Sequence, residues 1–182
     1  MILLCGCLAV ISALGVAYAQ KKTPLRVASK VDLARYAGQW YEIARFPNRF
    51  QNRCAREVTA NYTLQRDGRI SVINRCRLEN GEQIEAEGVA RVAGKGQANS
   101  ILKVRFAPAF LSFIPQVWGD YQIMALSPEY SYALVGDPGR EYLWVLSRLP
   151  RMDDATYERL VEEARSQGFD VRRLQKTRQA GS

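Results

Sequence analysis

Histidine is absent from all 182 residues of the chain, and this absence excludes several kinds of chemistry. Ser-His-Asp and Cys-His catalysis both need an imidazole base. Zinc sites that use histidine, and the usual haem ligation, need the same side chain. The sequence therefore argues against the common hydrolases and metalloenzymes, and we expect neither a cofactor nor a metal site.

Other motifs of catalysis and of nucleotide or nucleic-acid binding are also missing. After the apolar leader the sequence has no Cys-x-x-Cys pair, no glycine loop that would cradle a phosphate and no serine in a nucleophile elbow. The formal net charge is +8, but the basic residues are spread along the chain. A solvated surface explains this distribution, a weak attraction to anionic membranes is compatible with it, and no nucleic-acid partner is expected.

Cysteine is scarce, and two of the four cysteines lie in the apolar leader, residues 1–19. The leader ends in AYA, the small-x-small pattern that a signal peptidase reads, so we predict export with cleavage after Ala19. A transmembrane anchor is one alternative. Another is a lipid anchor at Cys7, which ends the lipobox-like run LCGC.

The other two cysteines, Cys54 and Cys76, belong to the exported part of the chain. In an oxidising compartment a disulfide between them is expected, and a reactive thiol is the alternative. A hairpin centred on Asp67-Gly68 brings the two regions together. They are not opposite in a simple register, so the bridge requires a bulge or a bend.

From Gly38 onwards the hydrophobic pattern has a period of two, interrupted by short turn signals such as Asp67-Gly68. Eight runs are rich in β-branched and aromatic residues: YEIARF, EVTANYTL, ISVINRC, IEAEGVARV, ILKVRF, YQIMAL, YALVG and YLWVLSR. Short connections between eight strands predict an all-β fold, an eight-stranded antiparallel up-and-down β-barrel.

One helix follows the last strand. In DDATYERLVEEARSQG, the apolar residues Tyr157, Leu160, Val161 and Ala164 form a single stripe, so we expect this C-terminal α-helix to pack against the outside of the barrel. The sequence then divides into a leader (1–19), an N-terminal arm (20–35), the barrel domain (36–172) and a flexible tail (173–182).

These residues resemble the lipocalin family. The resemblance rests on Gly38-x-Trp40 at the head of the first strand, Arg148 at the end of the last strand, and the terminal helix, and it covers roughly residues 30–172. It is strongest with the bacterial branch, the outer membrane lipoprotein type, and extends to plant temperature-induced lipocalins and apolipoprotein D. The family's middle motif, often Thr-Asp-Tyr, is Gly119-Asp120-Tyr121 here.

The resemblance implies roles for these residues and a setting for the protein. Gly38, Trp40 and Arg148 would be structural: Trp40 plugs the closed end of the barrel and the Arg148 guanidinium lies on its indole, a contact of about 0.5–2 kcal/mol. The implied setting is the periplasm or outer membrane of a Gram-negative bacterium. Some members of the family are catalytic, so an enzyme that uses a free Cys54 or Cys76 stays an alternative.

Side-chain alternation predicts the inner wall of the barrel. The predicted ligand contacts are Tyr62, Val72, Ala86, Gly88, Val104, Phe106, Tyr121, Trp144 and Glu42. The same alternation also places Ala44 and Phe46 inside the barrel. The small residues Ala86 and Gly88 would leave room for an acyl chain of a fatty acid or lysophospholipid; alternatively, large neighbours fill that room.

Glu42 is the one carboxylate that the alternation of side chains places inside the barrel. An unpaired buried charge is costly, so Glu42 must be paired, hydrogen-bonded or protonated. A structural partner and a cationic or hydroxyl-bearing lipid head group are both compatible with the sequence.

The loop of residues 107–119 should lie at the mouth of the barrel, opposite Trp40. It is unusually apolar for a loop, and its large side chains are Phe110, Leu111, Phe113, Ile114 and Trp118. Three uses compete: a lid over the cavity, a patch that contacts a membrane, and a homodimer interface. The expected protein is thus a non-catalytic lipid carrier for membrane lipid storage, transport or maintenance, with an interaction protein docking through this loop as a further alternative.

Overall fold

The computed structural model describes residues 23–94 and 98–181. The predictions for residues 1–19, a cleaved leader or a lipid anchor at Cys7, fall outside the described residues. Among the described residues, no helix is long and apolar enough to cross a membrane.

Eight antiparallel strands follow one another around a closed barrel, in which β1 pairs with both β8 and β2. This arrangement confirms the predicted fold. The strands are β1 (Gly38–Arg45), β2 (Arg56–Leu64), β3 (Ile70–Arg77), β4 (Gln83–Val92), β5 (Ile101–Arg105), β6 (Gly119–Leu126), β7 (Tyr132–Gly136) and β8 (Leu143–Ser147).

Within the described ranges, two α-helices flank the barrel. The short helix α1 (Leu33–Tyr36) precedes β1, and the helix α2 (Asp154–Ser166) follows β8. The carboxylate of Asp153 caps α2 by accepting a 2.8 Å hydrogen bond from the Thr156 amide. Beyond the helix, Gly168 has a φ of 86°, a left-handed conformation that stops the helix at little cost for glycine.

The buried side chains form two separate cores. One lies inside the barrel and includes Trp40, Tyr36 and Tyr62. The other lies between the outer barrel wall and α2, where Leu160 and Ala164 are almost completely buried. The expected packing of the helix on the outside of the barrel is therefore present.

A bulge in β1 overturns part of the predicted inner wall. The pairing of β1 with β8 shifts register between Glu42 and Ala44, so the alternation of side chains reverses there. Ala44 and Phe46 consequently point outwards and pack in the core beneath α2. Their predicted position inside the barrel is wrong.

The prediction of a flexible tail is wrong for residues 175–179. Gln175–Lys176 form a ninth strand, β9, on β1. The buried side-chain amide of Gln179 donates to the carbonyl oxygens of Glu42 and Val58, at 2.7 and 3.0 Å. Both carbonyl groups lie beside the register shifts of β1 and β2, so the C-terminal segment adds hydrogen bonds where the strands are irregular.

Cys54 and Cys76 form a disulfide with a Cα–Cα distance of 5.5 Å, which confirms the predicted bridge. The expected irregularity lies beside it, because β2 shifts register between Arg56 and Thr59 and Glu57 has a φ of 52°. The bridge joins the segment after β1 to the wall of the barrel.

Candidate functional site

The closed end of the barrel is built around Trp40, whose side chain is fully buried. The guanidinium carbon of Arg148 lies 3.9 Å from the centroid of the Trp40 rings, and the indole Nε1 donates to the carbonyl oxygen of Tyr36 at 2.8 Å. This geometry is the one that the lipocalin resemblance implies.

Arg148 also closes the end of helix α1. Its guanidinium donates to the carbonyl oxygens of Arg35, Tyr36 and Ala37, at 2.8–3.1 Å, and to that of Gln39 at 2.7 Å. These are the carbonyl groups that a helix end leaves without partners. One planar side chain therefore satisfies the helix end and covers the indole at the same time.

Gly38 is required by the same arrangement. Its φ is 93°, and a Cβ atom at this position would lie 3.2 Å from an Arg148 Nη1 atom. A residue with a side chain would be strained in this conformation and would crowd the guanidinium. The spacing Gly38-x-Trp40 thus follows from the packing of Arg148.

Above this floor the barrel encloses a cavity of about 580 Å³, within the range of pockets that hold one small molecule. Most of the lining side chains are aliphatic or aromatic. Seven of the predicted contacts lie in the lining: Glu42, Tyr62, Val72, Val104, Phe106, Tyr121 and Trp144.

Ala86 and Gly88 are not part of the lining, which corrects the prediction for both. A Cβ atom on Gly88 would come within 2.7 Å of the Phe106 ring, so the room beside this glycine is filled by a large neighbour. Ala86 is exposed, because β5 pairs only with Val89 to Val92 of β4. Ala90, further along β4, does line the cavity.

Glu42 is buried, with 3% of its surface exposed, and the protein itself supplies its partners. Arg45 forms a salt bridge with one carboxylate oxygen at 2.6 Å. Gln51 donates to the other oxygen at 2.7 Å, and the Thr177 hydroxyl donates at 2.5 Å. The charge of Glu42 is therefore balanced before any ligand binds, which favours the structural reading of this residue.

The prediction missed the lining residues Tyr36 and Gln51, because both lie outside the strands, where the alternation of side chains does not apply. Tyr36 lies in α1 and reaches the floor of the cavity. Gln51 lies in the segment after β1, and its side-chain oxygen accepts a 3.0 Å hydrogen bond from the Trp144 indole. The sequence signal for Tyr36 is weak: an aromatic residue two positions before Gly38.

The mouth loop, residues 107–119, divides into two parts. Val117 and Trp118 line the cavity, and the Trp118 indole donates to the Ser112 carbonyl oxygen at 2.8 Å. By contrast, 74% of Phe110 and 79% of Phe113 are exposed, and Phe50 on the neighbouring segment is 65% exposed. Leu111 and Ile114 are half-buried between these extremes.

Comparison with known proteins gives matches over most of the chain. The family model for a lipocalin-like domain matches residues 31–179. Temperature-induced lipocalin-1 of Arabidopsis thaliana is 43% identical over 161 residues, covering 88% of this chain and 86% of the relative. The outer membrane lipoprotein Blc of Escherichia coli K12 is 40% identical over 157 residues, covering 86% and 84%.

More distant matches agree with these. Apolipoprotein D of Mus musculus is 28% identical over 162 residues, covering 85% of this chain and 80% of the relative. The solved structure of insecticyanin from the tobacco hornworm Manduca sexta superimposes with a TM-score of 0.63 at 20% identity, covering 86% of this chain and 85% of that one. At this identity the structure supports the fold alone.

Proposed function

The chain belongs to the lipocalin family, and we propose on this basis that its cavity carries one single-chain amphiphile, a fatty acid or a lysophospholipid. The observation that carries the proposal is the apolar cavity of about 580 Å³, closed by Trp40 at one end and open at the other. Each CH₂ group that leaves water contributes about 0.8 kcal/mol to binding. Arg49 lines the cavity at the mouth, where a carboxylate or phosphate head group would lie.

The carrier is non-catalytic in this proposal. The enzyme alternative needed a free thiol as nucleophile, but both candidate sulfurs are joined in the Cys54–Cys76 disulfide. None of the relatives named above has an enzyme's name. We further propose that the protein is exported and acts in lipid transport or maintenance at the Gram-negative envelope, as the name of its Escherichia coli relative suggests.

The carrier proposal is tested by native mass spectrometry of the full chain purified without denaturant. We expect a lipid adduct, and we expect delipidated protein to take up one fatty acid or lysophospholipid per chain. A matched pair of variants locates the ligand, because Ala60 and Ala86 both flank Asn74 in the sheet. Ala60→Trp fills the cavity and should abolish uptake, whereas Ala86→Trp lies outside the lining and should leave it intact. A bare mass together with no uptake would contradict the proposal.

The second part of the proposal is that the mouth contacts a membrane through the exposed rings of Phe50, Phe110 and Phe113. Three large apolar side chains around one opening would be costly in water unless they meet an apolar partner. Arg49 lies 4.9 Å over the Phe50 ring, so a cation accompanies the aromatic tips. A bilayer that contains anionic lipid offers both an apolar layer and negative charge.

Co-sedimentation with phosphatidylglycerol-containing vesicles tests the membrane contact. Replacing all three phenylalanines by serine should abolish binding. Leu149→Ser is the control, because Leu149 is 68% exposed but follows β8 at the closed end. If instead the wild type self-associates in sedimentation equilibrium and the serine variant does not, the mouth is a homodimer interface.

A further inference from the structure

Three tyrosine side chains from three different elements meet at the floor of the cavity. The hydroxyl oxygen of Tyr121, on β6, lies 2.7 Å from that of Tyr36, on α1, and 3.1 Å from that of Tyr62, on β2. All three residues line the cavity. The deepest part of this mostly apolar space is therefore polar.

A count of hydrogens shows that this cluster is incomplete. Each phenol has one O–H donor, so the cluster has three donors, and the two contacts within it use two of them. The described part of the chain provides no further hydrogen-bond acceptor for these hydroxyls. Whichever way the chain of hydrogen bonds runs, one O–H is left for a group inside the cavity, and leaving it unpaired would be costly.

The occupant that this donor fits is uncharged. Burial raises the pKa of Tyr62 to about 12 and the pKa of Tyr36 and Tyr121 well above the ordinary value, so the phenols stay protonated. Among the described lining residues the sole cation is Arg49, at the mouth. Arg148 lies beneath the floor, but its guanidinium is stacked on Trp40 and donates to backbone carbonyl oxygens. A carboxylate at the floor would therefore lose its hydration without a cation in contact with it, whereas a neutral oxygen needs only the one donor.

A second polar group, the side chain of Asn74, lies closer to the mouth, two residues along β3 from the level of Tyr62. The side-chain oxygen of Asn74 is buried without a hydrogen-bond partner, and Asn74 follows Val72, the sheet partner of Tyr62, on the same face of β3. A hydroxyl group can both accept a hydrogen bond from a phenol and donate one to an amide oxygen. The interior is therefore better matched to an oxygen-bearing lipid than to a plain hydrocarbon chain.

We propose that the lipid in this cavity carries a neutral oxygen function, a hydroxyl or carbonyl group, at the end that is buried against Tyr36, Tyr62 and Tyr121. This inference rests on the carrier function proposed above and narrows its ligand class. The acidic head group stays at the mouth beside Arg49, and the oxygen at the far end of the chain replaces whatever water the free phenol donor otherwise holds.

The test compares palmitic acid with its ω-hydroxy derivative in titrations of the delipidated full chain, followed by tryptophan fluorescence. We expect the hydroxylated acid to bind about 3- to 10-fold more tightly to the wild type, as one net hydrogen bond would give. In the triple variant Tyr36→Phe/Tyr62→Phe/Tyr121→Phe the order should reverse by about 10-fold or more, because the hydroxyl is then buried without a partner.

Two further variants make the test specific. Tyr62→Phe leaves two hydroxyls that share one hydrogen bond, so one O–H is still free and the preference should persist. Tyr142→Phe is the matched control, because Tyr142 also lines the cavity but is stacked on Trp144, 5.8 Å between ring centroids. Its ratio of affinities should equal that of the wild type.

The outcomes separate this inference from the carrier proposal. If the wild type binds palmitic acid more tightly than the hydroxylated acid, or if the triple variant keeps the preference, the inference is wrong and the carrier function stands. If neither acid binds, the carrier proposal itself fails. Should the triple variant not fold, the wild type still decides the matter: the infrared carbonyl stretch of a bound ω-1 keto acid must lie below its position in alkane solvent, and an unshifted band refutes the hydrogen bond.

Discussion

The two ends of the barrel use the same residue types for opposite purposes. At the closed end, Trp40 is fully buried under Arg148, and each of the three guanidinium nitrogens donates to carbonyl oxygens. At the mouth, Trp118 is half-buried under Arg91, and Phe110 and Phe113 are largely exposed. A tryptophan beneath an arginine therefore does not by itself define a structural centre. The burial of the tryptophan and the number of hydrogen bonds that the arginine donates distinguish a site that stabilises the fold from one that is free to bind a partner.

The largest expected difference between the two ends concerns the tryptophans. Trp40→Ala should lower the free energy of unfolding by about 3–5 kcal/mol, because it leaves a cavity in the core and removes the surface on which Arg148 lies. Trp118→Ala, at the mouth, should cost about 1 kcal/mol. Urea unfolding measures both, and equal losses would contradict the assignment of the fold's stabilising centre to the closed end.

Alkaline pH should also act on the closed end. Burial raises the pKa of Tyr62 from an ordinary value near 10 to about 12, so the unfolded chain releases this proton first. Stability should be unchanged below about pH 9 and should fall as the pH rises from 10 to 12, by about 3 kcal/mol for Tyr62 alone. Tyr36 and Tyr121 shift in the same direction and add to the loss.

Urea unfolding at several pH values, with tyrosinate absorbance as a second signal, measures this dependence. The triple tyrosine-to-phenylalanine variant should flatten the profile. Tyr41→Phe, which keeps the three floor tyrosines, should not. A wild-type profile that is flat up to pH 12 would contradict the burial of these phenols.

A smaller effect is expected for the arginines. Arg148→Lys should cost about 1–3 kcal/mol, since an ammonium group cannot stack on the indole and reach several carbonyl oxygens in a plane. Arg91→Lys should stay within about 0.5 kcal/mol, because Arg91 is exposed over Trp118. Thermal unfolding of the two variants side by side tests the difference, and a neutral Arg148→Lys would show that charge alone is enough there.

The smallest effect is expected at the tips of the mouth loop. Phe113→Ser should change the free energy of unfolding by less than about 0.5 kcal/mol, because the ring is 79% exposed and loses little packing. Chemical denaturation without lipid is the measurement. A large loss of stability would mean that this ring packs against the barrel in solution, which would favour the lid over the membrane contact.

Regular alternation made part of the cavity predictable. Tyr62, Val72, Val104 and Trp144 lie in strands whose register is undisturbed around them, so a period of two placed them on the inner face. The prediction failed where the strands are irregular. The bulge after Glu42 turned Ala44 and Phe46 outwards, and the short β5 left Ala86 paired with β3 alone.

The residues that close the cavity were harder to foresee. Tyr36 reaches the floor from a helix of four residues, and Gln51 reaches Glu42 from a segment between strands. Neither position belongs to a periodic pattern. The prediction for the C-terminal segment was wrong for a similar reason: its composition is polar, but Gln179 is buried and donates to two backbone carbonyl oxygens of the barrel strands.

The sequence by itself determined the eight barrel strands and their direction, the external helix, the disulfide partners and the pairing of Trp40 with Arg148, because local periodicity, turn chemistry and family motifs can be read from the order of residues. It did not predict the added strand β9. Only the tertiary structure decided which groups meet inside the barrel. The three phenols, the carboxylate of Glu42 with its partners, and Phe106 beside Gly88 come together through bulges, loop paths and the closure of the sheet. Bulges, loop paths and closure of the sheet depend on contacts between distant parts of the chain, so no local sequence pattern predicts them.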